Sequence, residues 1–151
     1  MRPTRWYFLV IVGTLAGGVA YLVTRASYSD LPSPTLYAQI SLVVLAIAEG
    51  YTASITKARL GGRPGTRPID PIVVARFVAL AKASSIVGAL AAGGYAGFLG
   101  WVAQIDSPTA HRDLRTAVVG IVAGLALIGA ALALEWVGRV PDDGDPDIFA
   151  A

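Results

Sequence analysis

Four long runs of apolar residues dominate the chain: Trp6 to Val23, Pro34 to Thr56, Ile72 to Val102 and Thr116 to Val137. Each is close to or above the ~20 residues a helix needs to cross hydrocarbon. A membrane barrel strand alternates apolar and polar residues over about ten positions, whereas these runs are apolar on every side. In lipid each backbone amide needs a partner within its own segment or a closed sheet, so the runs predict helices. The expected fold class is all-α, an integral membrane four-helix bundle over residues 1–140, followed by an acidic, disordered tail over 141–151.

Punctuation between the runs supports these limits. Ser33 before Pro34 and Asp70 before Pro71 put a side-chain acceptor at a cap and a proline at the first helical position, where its missing N–H costs nothing. Ser107 with Pro108 repeats the pattern, which starts the fourth helix early, with a polar turn through His111, Arg112, Asp113 and Arg115 at the membrane interface. The third run has 31 residues, roughly 46 Å as continuous helix against a hydrocarbon core of about 30 Å. It must tilt, protrude or break, and the adjacent Gly93 and Gly94 mark the place for a bend.

Lipid gives no hydrophobic drive for helix association, so close contacts depend on small residues. In the third run Ala75, Ala79, Lys82, Ile86, Ala89, Gly93, Gly97 and Gly100 fall on one narrow helical stripe, which predicts the face turned to the bundle. Gly120, Gly124, Ala131 and Glu135 form a second stripe in the fourth run, and Gly13 and Gly17 recur at four-residue spacing in the first. These patterns predict packing at Gly13, Gly17, Gly93, Gly97, Gly120 and Gly124.

Composition narrows the chemistry. The 151 residues are 55% hydrophobic and 15% charged, with a mean hydropathy of +0.63, too apolar for an ordinary soluble domain. There is no cysteine and one histidine, which leaves no disulfide framework, no thiolate nucleophile and no polyhistidine metal site within one chain. We therefore expect no metal, no cofactor, no nucleic-acid partner and no enzymatic activity.

The net charge of +2 hides an asymmetry. Arg2, Arg5, Lys57, Arg59, Arg63, Arg67 and Arg139 fall on one side of the predicted spans, and Arg25, Arg112 and Arg115 on the other. The positive-inside rule then puts both termini and the loop from Lys57 to Asp70 in the cytoplasm of a multi-pass plasma-membrane protein. The N-terminus also fits a signal peptide with a passable cleavage site at Gly18-Val19-Ala20. Against that, the apolar run continues through Tyr21, Leu22 and Val23, and Trp6 and Tyr7 suit an interfacial belt, so a retained anchor is expected.

Four ionisable residues interrupt the apolar sequence: Glu49, Arg76, Lys82 and Glu135. Counted along the helices, Glu49 lies roughly 12 Å in from Lys57, Lys82 roughly 9 Å in from Arg76, and Glu135 roughly 6 Å in from Arg139. All four then occupy the cytoplasmic half, where an interhelical cluster of two acids and two bases would be nearly neutral. Charges at such depth are costly and need partners. One interpretation is structural: the cluster fixes helix register, with Arg76 and Glu135 snorkelling to the interface. The other is functional, a proton- or substrate-responsive site built on Glu49 and Lys82.

Other signals are weaker. The glycine-containing loop with Lys57, Arg59, Arg63 and Arg67 has neither P-loop nor dinucleotide spacing but suits anionic lipid headgroups. His111-Arg112-Asp113-Leu114 matches a kinase string by letters alone, and Ser107, His111 and Asp113 lack a scaffold to orient them as a hydrolytic set.

Arg63-Pro64-Gly65-Thr66-Arg67-Pro68, Pro71 to Arg76, Leu80-Ala81-Lys82-Ala83-Ser84, Glu135 and Arg139-Val140-Pro141-Asp142-Asp143 together resemble the actinobacterial domain-of-unknown-function family 3180, along essentially the whole chain. The resemblance implies a small four-span membrane protein, often encoded beside folate-biosynthesis genes, with no established activity. The expected role is an accessory or scaffold subunit that associates with itself or another membrane protein. The alternative is a small transporter, monomeric or oligomeric, coupled to protons or substrate through Glu49 and Lys82.

Overall fold

A computed structural model describes residues 5–28, 36–60 and 71–138. The elements are α1 (Trp6–Ser27), α2 (Leu36–Leu60), α3 (Pro71–Val102) and α4 (Pro108–Val137). All four helices are long and apolar enough to cross a membrane, and the described residues contain no strand.

Helix α1 runs past Val23 because its next polar side chains are accommodated locally. The Thr24 hydroxyl donates to the Ala20 carbonyl at 2.7 Å, so it needs no water. Arg25 lies 5.9 Å from the centroid of the Trp101 ring, at the helix end whose dipole favours a cation. Helix α4 starts early, as its punctuation predicts: Ser107 Oγ accepts the Ala110 N–H at 3.1 Å, and Pro108 occupies the first helical position. Helix α3 begins at Pro71 and stays helical through Gly93 and Gly94 for 32 residues, about 48 Å. It is therefore not broken at the paired glycines. The expected cap at Ser33, the proline at 34, Asp70 and the acidic tail lie outside the described residues.

Helices α3 and α4 form the central pair, with α1 packed on α3 and α2 packed on α4. Residue contacts give the directions. Gly13 and Gly17 of α1 lie against Ala89, Gly93 and Gly97 in ascending order, so α1 and α3 are parallel. Gly88 lies against Gly124, and Val78 against Gly138, so α3 and α4 are antiparallel. Gln39 reaches Thr116 and Lys57 lies over Trp136, so α2 and α4 are parallel. Successive helices thus alternate in direction, as consecutive membrane crossings require. One end carries Arg5, Lys57 and Trp136; the other carries Tyr28, Gln39 and Asp113.

The bulk of the side chains faces outward. Leu15, Tyr37, Ile47 and Val122 are exposed, whereas Ala81, Ala89, Ala117, Ala123 and Ala131 are buried. This inverts a water-soluble core, and it suits a solvent as apolar as leucine, in which close backbone approach stabilises helix pairs more than burial does.

Candidate functional site

The four ionisable residues singled out in the sequence are divided by the fold. Glu49 on α2 is only 2% exposed, at a junction where Ala53, one turn further along, packs with Ala81 of α3 and Ala131 and Leu134 of α4. Glu135 on α4 is 3% exposed and Lys82 on α3 is half-buried; both are engaged in interactions. Arg76 is exposed. The expectation that Arg76 and Glu135 both snorkel outward therefore fails for Glu135, which shares a buried face of α4 with Ala131 and Leu134.

Glu49 has the most demanding environment. The Ser84 hydroxyl of α3 is the polar group beside its carboxyl, but neither carboxyl oxygen has a hydrogen bond of full geometry. A hydrogen bond weakens steeply as distance and angle depart from ideal, so the Ser84 hydroxyl offsets little of the cost of burying this carboxyl. A deeply buried carboxyl without partners is costly whether or not it carries a proton.

Glu49 belongs to a longer seam. Gln39, Ala46 and Ala53 recur at seven-residue spacing on α2, as do Glu49 and Thr56, and all five are buried. A seven-residue repeat keeps one line of a helix turned to its neighbour, and Gln39 Nε2 donates across that line to the Thr116 carbonyl of α4 at 3.3 Å. Neither charge nor small-residue spacing singles out Gln39 and Thr56; their signal in the sequence is the seven-residue spacing to Ala46, Ala53 and Glu49.

The six predicted packing glycines all lie at helix crossings. A Cβ on Gly93 or Gly97 would enter the backbone of Gly13 or Gly17, a Cβ on Gly124 would meet Gly88 and Ala92, and one on Gly120 would meet the Tyr95 ring. The single stripe expected on α3 does not hold throughout. Ala79 and Gly100 are exposed, while Val74, Val78, Ala81, Ser85 and Gly88 are buried. Because α3 lies between α1 and α4, it needs two packed faces, which one stripe cannot supply.

At the opposite end the Tyr28 hydroxyl donates to Asp113 Oδ2 at 3.0 Å. Burial first, and then the adjacent Asp113 carboxylate, push the Tyr28 phenol above its ordinary range. His111 is paired at 3.3 Å with Asp106, both well exposed, and Ser107 is used as a cap, so Ser107, His111 and Asp113 do not converge. Lys57 lies 5.6 Å from the Trp136 ring centroid. The Arg59 side chain, Arg63 and Arg67 lie outside the described residues.

Two apolar grooves flank α1. One, of about 570 Å³, lies between α1 and α4 over a floor of Ala89, Ala92, Gly93 and Ala96. The second, of about 600 Å³, is formed by α1 with Leu90 and Gly94 of α3. Neither is lined by an ionisable side chain.

The chain belongs to the family described as protein of unknown function (DUF3180), whose profile matches residues 9–142. Comparison with curated proteins and with solved structures gives no match.

Proposed function

We propose that this DUF3180 member is a non-enzymatic accessory or scaffold subunit of a membrane assembly, spanning the plasma membrane four times with both termini in the cytoplasm. The observation that carries this reading is the sealed position of Glu49: it lies in the α2–α3–α4 junction, and the two grooves hold no ionisable group. A polar seam of this kind fixes the placement of α2, leaving Tyr37, Ile40, Ile47 and Tyr51 on its outer face for another membrane protein or a second copy. The cytoplasmic orientation draws on the excess of Lys and Arg on the Arg5 and Lys57 side. An actinobacterial source and a link to folate-gene neighbourhoods rest on the family resemblance alone.

A second reading draws on the same residue. An unpaired carboxyl at membrane depth is a feature of proton relays, and it supports a small transporter using Glu49 and Lys82.

The test is solubilisation of the tagged chain followed by native mass measurement, comparing the wild type with Glu49→Gln and Lys82→Met. A partner at fixed stoichiometry, weakened when the seam is altered, is the expected result. A partner-free homo-oligomer that carries proton-coupled flux in liposomes, abolished by Glu49→Gln, would replace the accessory reading with the transporter.

A further inference from the structure

The groove between α1 and α4 has dimensions that select its occupant. Along α1 its lining runs from Trp6 to Gly17, twelve residues spanning about 17 Å of helix. That length is close to the depth of one leaflet, half of a hydrocarbon core about 30 Å thick. Spread over that length, a volume of about 570 Å³ leaves a mean cross-section of about 35 Å². A groove this narrow suits a single hydrocarbon chain lying along its floor better than a helix, which with its side chains is ~10–12 Å across.

Chemistry at the two ends gives the groove a direction. Beyond Gly17, α1 continues to Tyr28, whose ring meets Phe98 of α3 and whose hydroxyl reaches Asp113 of α4. That end is closed. At the other end Trp6 forms the lip, and Arg5 immediately precedes it. The Arg5 guanidinium lies over the Tyr7 ring, 5.5 Å from its centroid, and donates to the Tyr7 hydroxyl. The exposed charges at this end of the described residues, Arg5, Lys57 and Arg76, are all cationic, while the acids Glu49 and Glu135 are buried. An arginine fork matches a phosphate diester, and this cationic end favours a headgroup that leaves the phosphate charge uncancelled.

We propose that this groove seats one acyl chain of an anionic phospholipid, with the headgroup phosphate at the Arg5 end and the chain running over Ala89, Ala92, Gly93 and Ala96. The site differs from annular lipid contact because its floor is recessed between two helices and its mouth carries a matching charge. It stands independently of the accessory role, since a transporter would hold the same lipid.

The experiment uses the full chain in bilayers containing phosphatidylglycerol or phosphatidylcholine with a photoactivatable diazirine in the acyl chain, and locates labels by mass spectrometry. Labelling of Ala92, Ala96 and Leu125 should exceed labelling of the outward residues Ile47 and Tyr51 and should be competed by unlabelled phosphatidylglycerol. Ala96→Phe, which fills the floor, should remove the groove label and spare the α2 label. Arg5→Gln should lower the preference for phosphatidylglycerol roughly fivefold, the share of one basic residue at an anionic surface. Uniform labelling of all faces, or groove labelling that neither competes nor responds to Ala96→Phe, overturns the proposal. Lipid label on Ile47 and Tyr51 with none in the groove also overturns the proposal and would point to a second copy seated there. Competition in the wild type decides the question even if Ala96→Phe does not fold.

Discussion

The two outer helices are attached to the central pair by opposite means. Helix α1 meets α3 backbone to backbone, Gly13 and Gly17 against Gly93 and Gly97, with no side chain between them. Helix α2 meets α4 through side chains, and three of the five buried at seven-residue spacing are polar: Gln39, Glu49 and Thr56. Both arrangements suit a solvent that gives helices no hydrophobic drive to associate. The glycine seam gains dispersion from close approach and tolerates no added atoms. The polar seam gains specificity, because rotating α2 about its axis would turn Glu49 and Gln39 outward, but it retains a carboxyl with no bonded partner. One seam is sensitive to volume and the other to polarity.

The largest effect is expected where volume decides. Gly97→Leu places a Cβ inside the Gly17 carbonyl, and no rotamer change relieves a clash with backbone. The cost should reach or pass the upper end of the ~1–3 kcal/mol typical of overpacked cores. Gly94→Leu, three residues away with open space around it, should stay within about 0.5 kcal/mol. Thermal unfolding of the detergent-solubilised variants checks the pair. Equal melting temperatures would mean that α1 is not held by the glycines.

The polar seam should respond in the opposite direction. Glu49→Met keeps much of the volume and removes the unpaired carboxyl, so the isolated protein should gain up to roughly 2 kcal/mol, as buried ionic groups often do when replaced by well-packed apolar ones. The same change should weaken partner capture, since the cost of the carboxyl is offset only by what the correct placement of α2 allows. A loss of stability of similar size would show that Glu49 has a counter-partner worth more than its desolvation.

The sequence made the glycine seam readable and the polar seam only partly so. Small residues at four-residue spacing have one strong physical use in lipid, and Gly13, Gly17, Gly93 and Gly97 lie where that use puts them. The number and type of the helices were equally accessible, since long uniformly apolar runs favour helix over an alternating strand. Burial of charge was harder to read. Arg76 and Glu135 each lie close to a predicted span end, and depth alone gives both the same expectation, yet one faces out and the other in. The difference is angular, set by which neighbours α3 and α4 acquire, and no single helix contains it. Tyr28 with Asp113, 85 positions apart, is likewise visible only once α1 and α4 are brought to the same end.

That clasp supplies the smallest and most specific prediction. Tyr28→Phe removes the hydroxyl and leaves the Asp113 carboxylate, 3% exposed, without it, at a cost of about 1–2 kcal/mol. The effect should be confined to this end, leaving both seams intact. It also has a pH signature. The folded phenol titrates above its ordinary range, so the neutral form is favoured in the folded state. Its contribution is fully present below the unfolded tyrosine pKa of about 10 and is lost as pH rises through the higher folded value. Between neutral pH and about 9 the difference between wild type and Tyr28→Phe should be constant; above about 10 it should shrink as the wild type loses the clasp. A difference that stays constant through pH 11 would separate the Tyr28 hydroxyl from Asp113 in the working protein, and would leave α1 held at this end by its ring contacts, Tyr28 with Phe98 and Arg25 with Trp101.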